Sequence, residues 1–167
     1  MKLPTYLQIE PVGQCNLRCQ MCPIQFRKDG PPYTPPAFME FDIFTRIIDQ
    51  FVTLKELHLQ GLGEPMMHPR FFDMIAYAVN KNIRVTTNSN LTLLNQKRAE
   101  LCVTSGLSIL HVSIDGATAE TYDRIRVDSH FDLVVRNLKL VLNAKQKLGK
   151  THPKIHPVSY THLRAHE

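Results

Sequence analysis

Short apolar segments alternate along the chain with longer segments whose apolar residues recur at helical spacing. The short segments predict four β-strands, at Tyr6–Val12, Glu56–Leu59, Ile83–Asn88 and Ile109–Asp115. The longer segments predict helices, at Phe41–Phe51, around Pro69–Lys81, from Asn95 to Gly106, and over a late basic stretch that stops at Gly149. Four strand–helix units in series predict parallel strands with right-handed crossovers, in either an open doubly wound sheet or a barrel-type α/β fold.

Two asparagines mark helix boundaries in this pattern. Asn82 follows the second predicted helix and is suited to the left-handed conformation that often ends a helix. Asn95 precedes the third predicted helix, where its side-chain oxygen can cap the first free backbone N–H groups.

The most unusual residues lie where the predicted strands end. Three cysteines follow the first strand, GLGEP follows the second, TTNSN closes the third and SIDG closes the fourth. In both candidate folds, ligands bind at the C-terminal ends of the strands. The four segments therefore predict one shared site at that edge of the sheet.

The end of the chain departs from the alternating plan. A fifth strand is due near Lys154, but Pro157 would break a central strand, and four of the eight histidines lie in Thr151–His166. Residues Ser159–His166 resemble translated adapter or vector sequence. We therefore expect a core domain over 1–156, containing the start of a fifth strand, in a chain truncated near His156. Residues 157–167 are then a non-native or disordered tail, and deletion of Val158–Glu167 should leave the thermal midpoint unchanged.

Composition excludes several classes of protein. The chain has 167 residues, about one domain, with 43% hydrophobic and 21% charged residues, which is ordinary for a globular protein. No apolar run approaches the length of a membrane span, and the N-terminus lacks the apolar stretch of a signal peptide. These features predict a cytoplasmic protein without a membrane partner, in a compartment that keeps thiols reduced.

The net charge of +5 is concentrated in one segment. Residues 1–132 carry 13 Lys and Arg against 14 Asp and Glu, whereas residues 133–154 carry six Lys and Arg and no acidic residue. Because that segment has helical spacing and its cations cluster toward its C-terminal end, we interpret the charge as a solvated helix face. No nucleic-acid partner is inferred.

Three of the four cysteines form a compact group. Cys15, Cys19 and Cys22 have the spacing C-x3-C-x2-C, which can bring three thiolates to one soft metal centre. Cys102 lies far along the chain in a helical pattern, where we expect a small buried hydrophobe. Structural zinc and iron–sulfur cubanes both normally take four protein ligands. Three cysteines would leave one iron of a cubane open to a non-protein ligand. The group could thus belong to an enzyme that binds such a ligand, or to a non-catalytic zinc or iron–sulfur binding module.

The cysteine spacing after a first strand, with GEP after a second, resembles the radical S-adenosylmethionine (radical SAM) superfamily. The resemblance covers residues 4 to 156 and is closest to the branch that carries a C-terminal SPASM domain, with similarity also to molybdenum-cofactor A-type enzymes. It implies a parallel βα-repeat partial barrel, similar to an incomplete TIM barrel and unfinished at the C-terminus. The later cysteine-rich region of SPASM relatives has no counterpart in this sequence.

The resemblance also implies the cofactors and the chemistry. In the family, the three cysteines hold a 4Fe–4S cluster whose open iron is chelated by the amino and carboxylate groups of SAM. An electron, delivered here by a donor such as flavodoxin or ferredoxin, cleaves SAM to a 5′-deoxyadenosyl radical that abstracts hydrogen from a substrate. SPASM relatives imply a peptide or protein substrate, while molybdenum-cofactor A-type relatives keep nucleotides and other small molecules open. An inactive truncated remnant is a further alternative.

Eight further positions are implied to contact SAM. Met21 matches an apolar position near the adenine, and the glycine-rich turn of the family corresponds to Gly61, Gly63 and Glu64, with Leu62 in place of its first glycine. Glycine lets the backbone approach a ligand, and a carboxylate can accept from an ammonium group. The remaining positions lie at the ends of the third and fourth strands and in the YDRIRV segment that follows: Asn88, Ser113, Asp115 and Arg126.

Each of those later positions has a defined counterpart. Ser113 and Asp115 end the fourth strand, where relatives contact the SAM ribose, and Asn88 matches an asparagine that ends the third. Arg126 matches an arginine that reaches the SAM carboxylate, and the neighbouring Arg124 is the competing assignment. Plain turn or capping roles remain the alternative for Asn88, Ser113 and Asp115.

Overall fold

The structure, a computed structural model, describes residues 3–30 and 33–159. It confirms the four predicted strands and four predicted helices to within a few residues, and it adds a short helix. A fifth strand begins at Lys154, where the sequence led us to expect one. In chain order the elements are β1 Tyr6–Ile9, α1 Phe41–Gln50, β2 Glu56–Leu59, α2 Phe71–Asn80, β3 Arg84–Ser89, α3 Gln96–Thr104, β4 Ile109–Ser113, α4 Ala119–Ile125, α5 Phe131–Lys147 and β5 Lys154–Val158. Single 3-10 turns lie at Pro23–Phe26 and Pro65–Met67.

The five strands form one parallel sheet in the order β1-β2-β3-β4-β5. Each strand pairs with the next one in sequence, so the order never reverses as it does in a doubly wound sheet. Sequential parallel pairing is the topology of a β/α barrel. Because β1 and β5 pair with each other nowhere in the described chain, the barrel is partial. Of the two folds that the sequence predicted, the structure is therefore the barrel-type α/β fold and not the open doubly wound sheet.

The two faces of the sheet have different surroundings. Leu57 and Leu59 of β2, Val85 of β3, and Leu110 and Val112 of β4 are buried in one core cluster. The helices supply the opposing side of that core, through Phe44, Ile48, Met74, Ile75, Ala78, Val134 and Val141. Strand alternation then directs the intervening residues to the other face.

That other face is polar and carries a row of histidines. His58 of β2, His111 of β4 and His156 of β5, here named the histidine row, stack edge to face with ring centroids 6.2 and 5.3 Å apart. Nδ1 of His58 lies 2.8 Å from Oγ1 of Thr86 on the intervening strand. The row thus crosses four strands on the face away from the helices.

The structure corrects the expectation for Pro157. This residue does not break the fifth strand, which runs through Val158, so the strand passes the expected domain limit at His156 and Val158 belongs to the fold. Lys154 N donates to Ser108 O and Ile114 N donates to Val158 O, so the even-numbered residues bond to β4. Pro157 is oriented toward the open edge, where its missing N–H costs no ladder bond. The rest of the expected tail, residues 160–167, lies outside the described residues.

The two asparagine boundaries are confirmed. Asn82 has φ 61°, in the left-handed region, directly after α2 and Lys81. The Asn95 side chain accepts from Arg98 N at 2.9 Å and caps α3. In the described part of the chain, no helix has the length and apolar character needed to cross a bilayer.

Candidate cofactor-binding site

A cavity of about 390 Å³ opens at the C-terminal ends of the strands. It is bounded by the loop after β1, the turn after β2, and the ends of β3 and β4. Its lining includes ten of the eleven predicted site residues: Cys15, Cys19, Met21, Cys22, Gly61, Gly63, Glu64, Asn88, Ser113 and Arg126. Leu17, Pro23, Gln60, Leu62, Ser89 and Asn90 complete it. Residues from the four predicted strand ends thus line one cavity.

The three cysteines occupy the loop between β1 and the 3-10 turn at Pro23. All three are free thiols, and Cys22 N donates to Cys19 O at 3.0 Å, which forms a turn between the second and third cysteines. Burial raises the pKa of Cys15 to about 12, with a further contribution from the charge of Glu64. Burial also raises the pKa of Cys19, while the Arg126 guanidinium acts in the opposite direction. Without a metal, therefore, the thiol form of Cys15 is strongly favoured at neutral pH.

The arrangement of the thiols bears on which metal centre they fit. In the described residues, no group of three or more His, Cys, Asp or Glu side chains converges around a single ion position. One zinc ion needs sulfurs about 2.3 Å from its centre, whereas each cysteine of a cubane binds a different iron. The three thiols nevertheless line one cavity and are close enough for the charges of Cys19 and Cys22 to raise the pKa of Cys15. Three thiols that line one cavity fit the ligation of a multi-iron cluster, in which each cysteine binds a different iron.

The turn after β2 packs directly on the cysteine loop. Glu64 N donates to Gln14 O at 3.0 Å, next to Cys15. A Cβ atom added to Gly63 would lie 2.0 Å from Val12 O and 2.5 Å from Gln14 O, so only glycine permits this approach. The Glu10 carboxylate, at the end of β1, accepts from Leu62 N and from Gly63 N at 3.2 Å. Glycine and Glu10 therefore fix the turn against the loop that carries the thiols.

The Glu64 side chain is 3% exposed and accepts three hydrogen bonds. Oε1 accepts from Met66 N at 3.1 Å and from Ser89 Oγ at 2.8 Å, and Oε2 accepts from Asn90 N at 2.8 Å. Burial raises the pKa of this carboxyl, and the three donors oppose that shift. Each carboxylate oxygen has about two acceptor positions, so Oε2 retains one.

Arg126 connects the end of β4 to the cysteine loop. Its Nε donates to Oδ2 of Asp115 at 2.6 Å, its Nη2 pairs with the same oxygen, and its Nη1 donates to Sγ of Cys19 at 3.6 Å. Asp115 is buried and is the one predicted site residue that does not line the cavity. Arg124 is exposed and also lies outside the cavity lining. The geometry thus favours Arg126 over Arg124 as the arginine of the site.

The sequence interpretation missed three residues that organise the site: Glu10, Ser89 and Asn90. Asn90 Nδ2 lies 3.8 Å from Sγ of Cys15 and donates to Asn16 Oδ1 at 3.2 Å. The signal was available, because Ser89 and Asn90 belong to the TTNSN segment from which only Asn88 was selected. The contact of Glu10 with the turn joins residues 52 and 53 positions apart, and no local pattern indicates it.

Comparison with known proteins identifies the family. The family described as the radical SAM superfamily matches residues 9–164. The chain belongs to the radical SAM superfamily, as the cysteine spacing and the GEP turn indicated.

Individual relatives and solved structures agree with this membership. The chain is 28% identical, over 90% of its length, to the tungsten-containing aldehyde ferredoxin oxidoreductase cofactor-modifying protein of Pyrococcus furiosus, of which it covers 42%. It is 32% identical, over 74% of its length, to the AdoMet-dependent heme synthase of Methanosarcina barkeri, of which it covers 34%. SuiB of Streptococcus suis, bound to S-adenosylmethionine, superposes with a TM-score of 0.74 at 20% identity, covering 95% of this chain and 35% of SuiB.

These matches confirm the fold and show how much of each relative the chain covers. The likeness to SuiB shows a shared fold, and the chain spans less than half the length of the two curated relatives. Relatives in the family have enzyme names, including a heme synthase, a maturase and a cyclase. The family generally uses SAM with an iron–sulfur cluster, and three cysteines line the cavity of this chain.

Proposed function

We propose that this chain is the cofactor-binding core of a radical SAM enzyme, with a 4Fe–4S cluster on Cys15, Cys19 and Cys22. The observation that carries the proposal is the cavity at the strand ends, where three free thiols face Glu64 and Arg126. When bound, the cluster and SAM supply one-electron chemistry that yields a 5′-deoxyadenosyl radical for hydrogen abstraction. The protein contributes binding, orientation and enclosure.

The thiols would bind the cluster as thiolates. Since burial disfavours ionisation of Cys15, cluster binding must displace its proton, and loading of the site releases protons to solvent. The backbone around Gly63 and Glu64 holds the opposite wall of the cavity at a fixed distance from the loop. The site is thus organised by contacts that do not depend on the cluster.

The opposite wall offers suitable groups for SAM. The free acceptor position on Oε2 of Glu64 suits an ammonium group, and the half-exposed Met21 offers an apolar surface for the adenine. Gly61 and Gly63 also line the cavity, and Asn88 and Ser113 provide polar groups for the ribose. Asp115 acts on Arg126 in this arrangement, so its contribution to SAM binding is indirect.

For the intact protein we propose a peptide or protein substrate and a flavodoxin- or ferredoxin-type electron donor in the cytoplasm. The support is that SuiB has been solved with its precursor peptide SuiA and that another relative is the mycofactocin maturase MftC. The heme synthases and the GTP cyclase among the relatives make a small molecule the competing outcome.

Anaerobic reconstitution of the chain with iron and sulfide tests the proposal. We expect about four irons per chain, as for a cubane, and visible absorption from the cluster. Cys19→Ser should lose the cluster, whereas Cys102→Ala, which removes a buried thiol in α3 that does not line the cavity, should retain it.

Two further outcomes separate the alternatives. A colourless protein that holds one zinc would replace the proposal with a zinc-binding module. A loaded protein that fails to release 5′-deoxyadenosine from SAM under strong reductant would be the inactive remnant.

A further inference from the structure

Two side-chain N–H donors are aimed at the sulfurs of the cysteine loop. Arg126 Nη1 lies 3.6 Å from Cys19 Sγ, and Asn90 Nδ2 lies 3.8 Å from Cys15 Sγ. We propose that Arg126 and Asn90 are positioning residues that raise the reduction potential of the cluster through these contacts. This inference rests on the proposed function, because it needs the cluster on Cys15 and Cys19.

The Arg126 guanidinium is locked in its orientation. Nε and Nη2 both bind Oδ2 of Asp115, which is 3% exposed, and a buried carboxylate of this kind is costly to leave unpaired. With two of its donors held there, the planar guanidinium has Nη1 fixed toward Cys19. The family resemblance assigned Arg126 to the SAM carboxylate, but the contacts of this structure direct it to a cysteine sulfur.

The Asn90 amide is oriented just as firmly. Its Oδ1 accepts from Thr92 N at 2.9 Å and from Thr92 Oγ1 at 2.7 Å. Nδ2 must therefore face the opposite way, where it meets Asn16 Oδ1 and Cys15 Sγ. A flipped amide would place its oxygen against the sulfur and against Asn16 Oδ1, and it would set Nδ2 against Thr92 N, which can only donate.

Donors to cysteine sulfur affect a cluster in one direction. A cluster gains negative charge on reduction, and N–H groups near its thiolates stabilise the more negative state more strongly. Removal of either donor should therefore lower the reduction potential. Because Asp115 compensates the charge of Arg126, removing both together isolates the N–H contact from a change in net charge.

The test is a redox titration of the reconstituted cluster, monitored by electron paramagnetic resonance without SAM. The variants are Asn90→Ala and the charge-neutral double variant Arg126→Met with Asp115→Asn. The matched control is Arg124→Met, which removes an exposed arginine outside the cavity. We expect the reduction potential of each test variant to fall by about 59 mV, which corresponds to a tenfold less favourable one-electron reduction. The potential of the control should not change.

The remaining outcomes are distinct. Normal iron content with unchanged potentials in both test variants would overturn the inference while leaving the proposed function intact. Weaker SAM binding by the double variant at an unchanged potential would return Arg126 to the SAM carboxylate and also overturn its role here. Absence of iron from the unaltered chain would be a failure of the proposed function itself. If Arg126→Lys keeps the reduction potential of the unaltered chain, the N–H contact is supported, since lysine also donates.

Discussion

Single residues determine how closely the two walls of the cavity approach. At Gly63 the turn after β2 packs against the cysteine loop, and a Cβ there would collide with two backbone carbonyl oxygens. Backbone atoms cannot rotate away as a side chain can. The spacing of the whole site therefore depends on one missing side chain.

We predict that Gly63→Ala destabilises the chain by about 3 kcal/mol or more, because overpacking against backbone forces the turn and the loop apart. Cluster loading should fall with it. Gly13→Ala is the matched control in the same region, since its Cβ would meet the nearest atom, on the Glu10 side chain, at 3.4 Å. Urea unfolding of both variants measures the difference. Equal stabilities would mean that the contact at Gly63 relaxes without cost.

At the residue scale, local patterns indicated residues that line the cavity but not the hydrogen-bond partners of those residues. The cysteine spacing and the GEP turn are readable because their residues are neighbours in sequence. Glu64 receives bonds from Ser89 and Asn90 across 25 and 26 positions, and Arg126 contacts Cys19 across 107. Such contacts are set by strand register and loop packing, which no spacing within one segment specifies.

At the scale of elements, α5 holds the loop that carries Asn90. Asn137 is completely buried, and its Nδ2 donates to Leu91 O at 2.8 Å. Leu91 has φ 59°, an uncommon conformation for a branched residue, and this bond helps to maintain it. A helix that contributes no residue to the cavity lining thus fixes the loop that contains Asn90 and Thr92.

We expect Asn137→Leu to cost about 1–3 kcal/mol, because the buried Leu91 carbonyl loses its donor. The loop should also exchange amide hydrogens faster near Asn90. Asn143→Leu, an exposed position on the same helix, is the control and should change stability little. Denaturant unfolding together with hydrogen exchange checks both parts. Unchanged exchange in the loop would show that Asn137 does not maintain its conformation.

Elements with clear end signals were predicted well, and those without were not. Asn82 and Asn95 gave correct boundaries because their capping is a local property of the backbone. Helix α4 was missed because its seven residues bury only Tyr122 and Ile125, too few to define a helical stripe. The expectation that Pro157 breaks the strand was wrong, because its missing N–H removes a ladder bond only on a side of β5 that pairs with another strand. The sequence alone does not specify which side of β5 is paired.

The whole molecule is a parallel sheet with one face covered by helices and one face polar. On the polar face, burial lowers the pKa of both His58 and His111. The neighbouring charges of His156, His58 and Arg84 lower the pKa of His111 further. A hydrogen bond with Gln60 and the charge of Glu56 act in the opposite direction on the pKa of His58. The folded chain therefore binds protons at these two histidines less readily than the unfolded chain does.

The final prediction is a pH dependence of stability that originates in the histidine row. Because the folded pKa lies below the unfolded value of about 6.5, stability is highest above that value and falls as the pH decreases through it. His111→Gln should reduce the loss of thermal midpoint between pH 7.5 and 5.5, since it removes one group that must be held neutral. His152→Gln alters an exposed histidine outside the row and should leave the loss as it is. An identical pH dependence in His111→Gln and the unaltered chain would show that the row does not couple protonation to folding. It would then follow that the polar face tolerates charge as freely as solvent-exposed surface does.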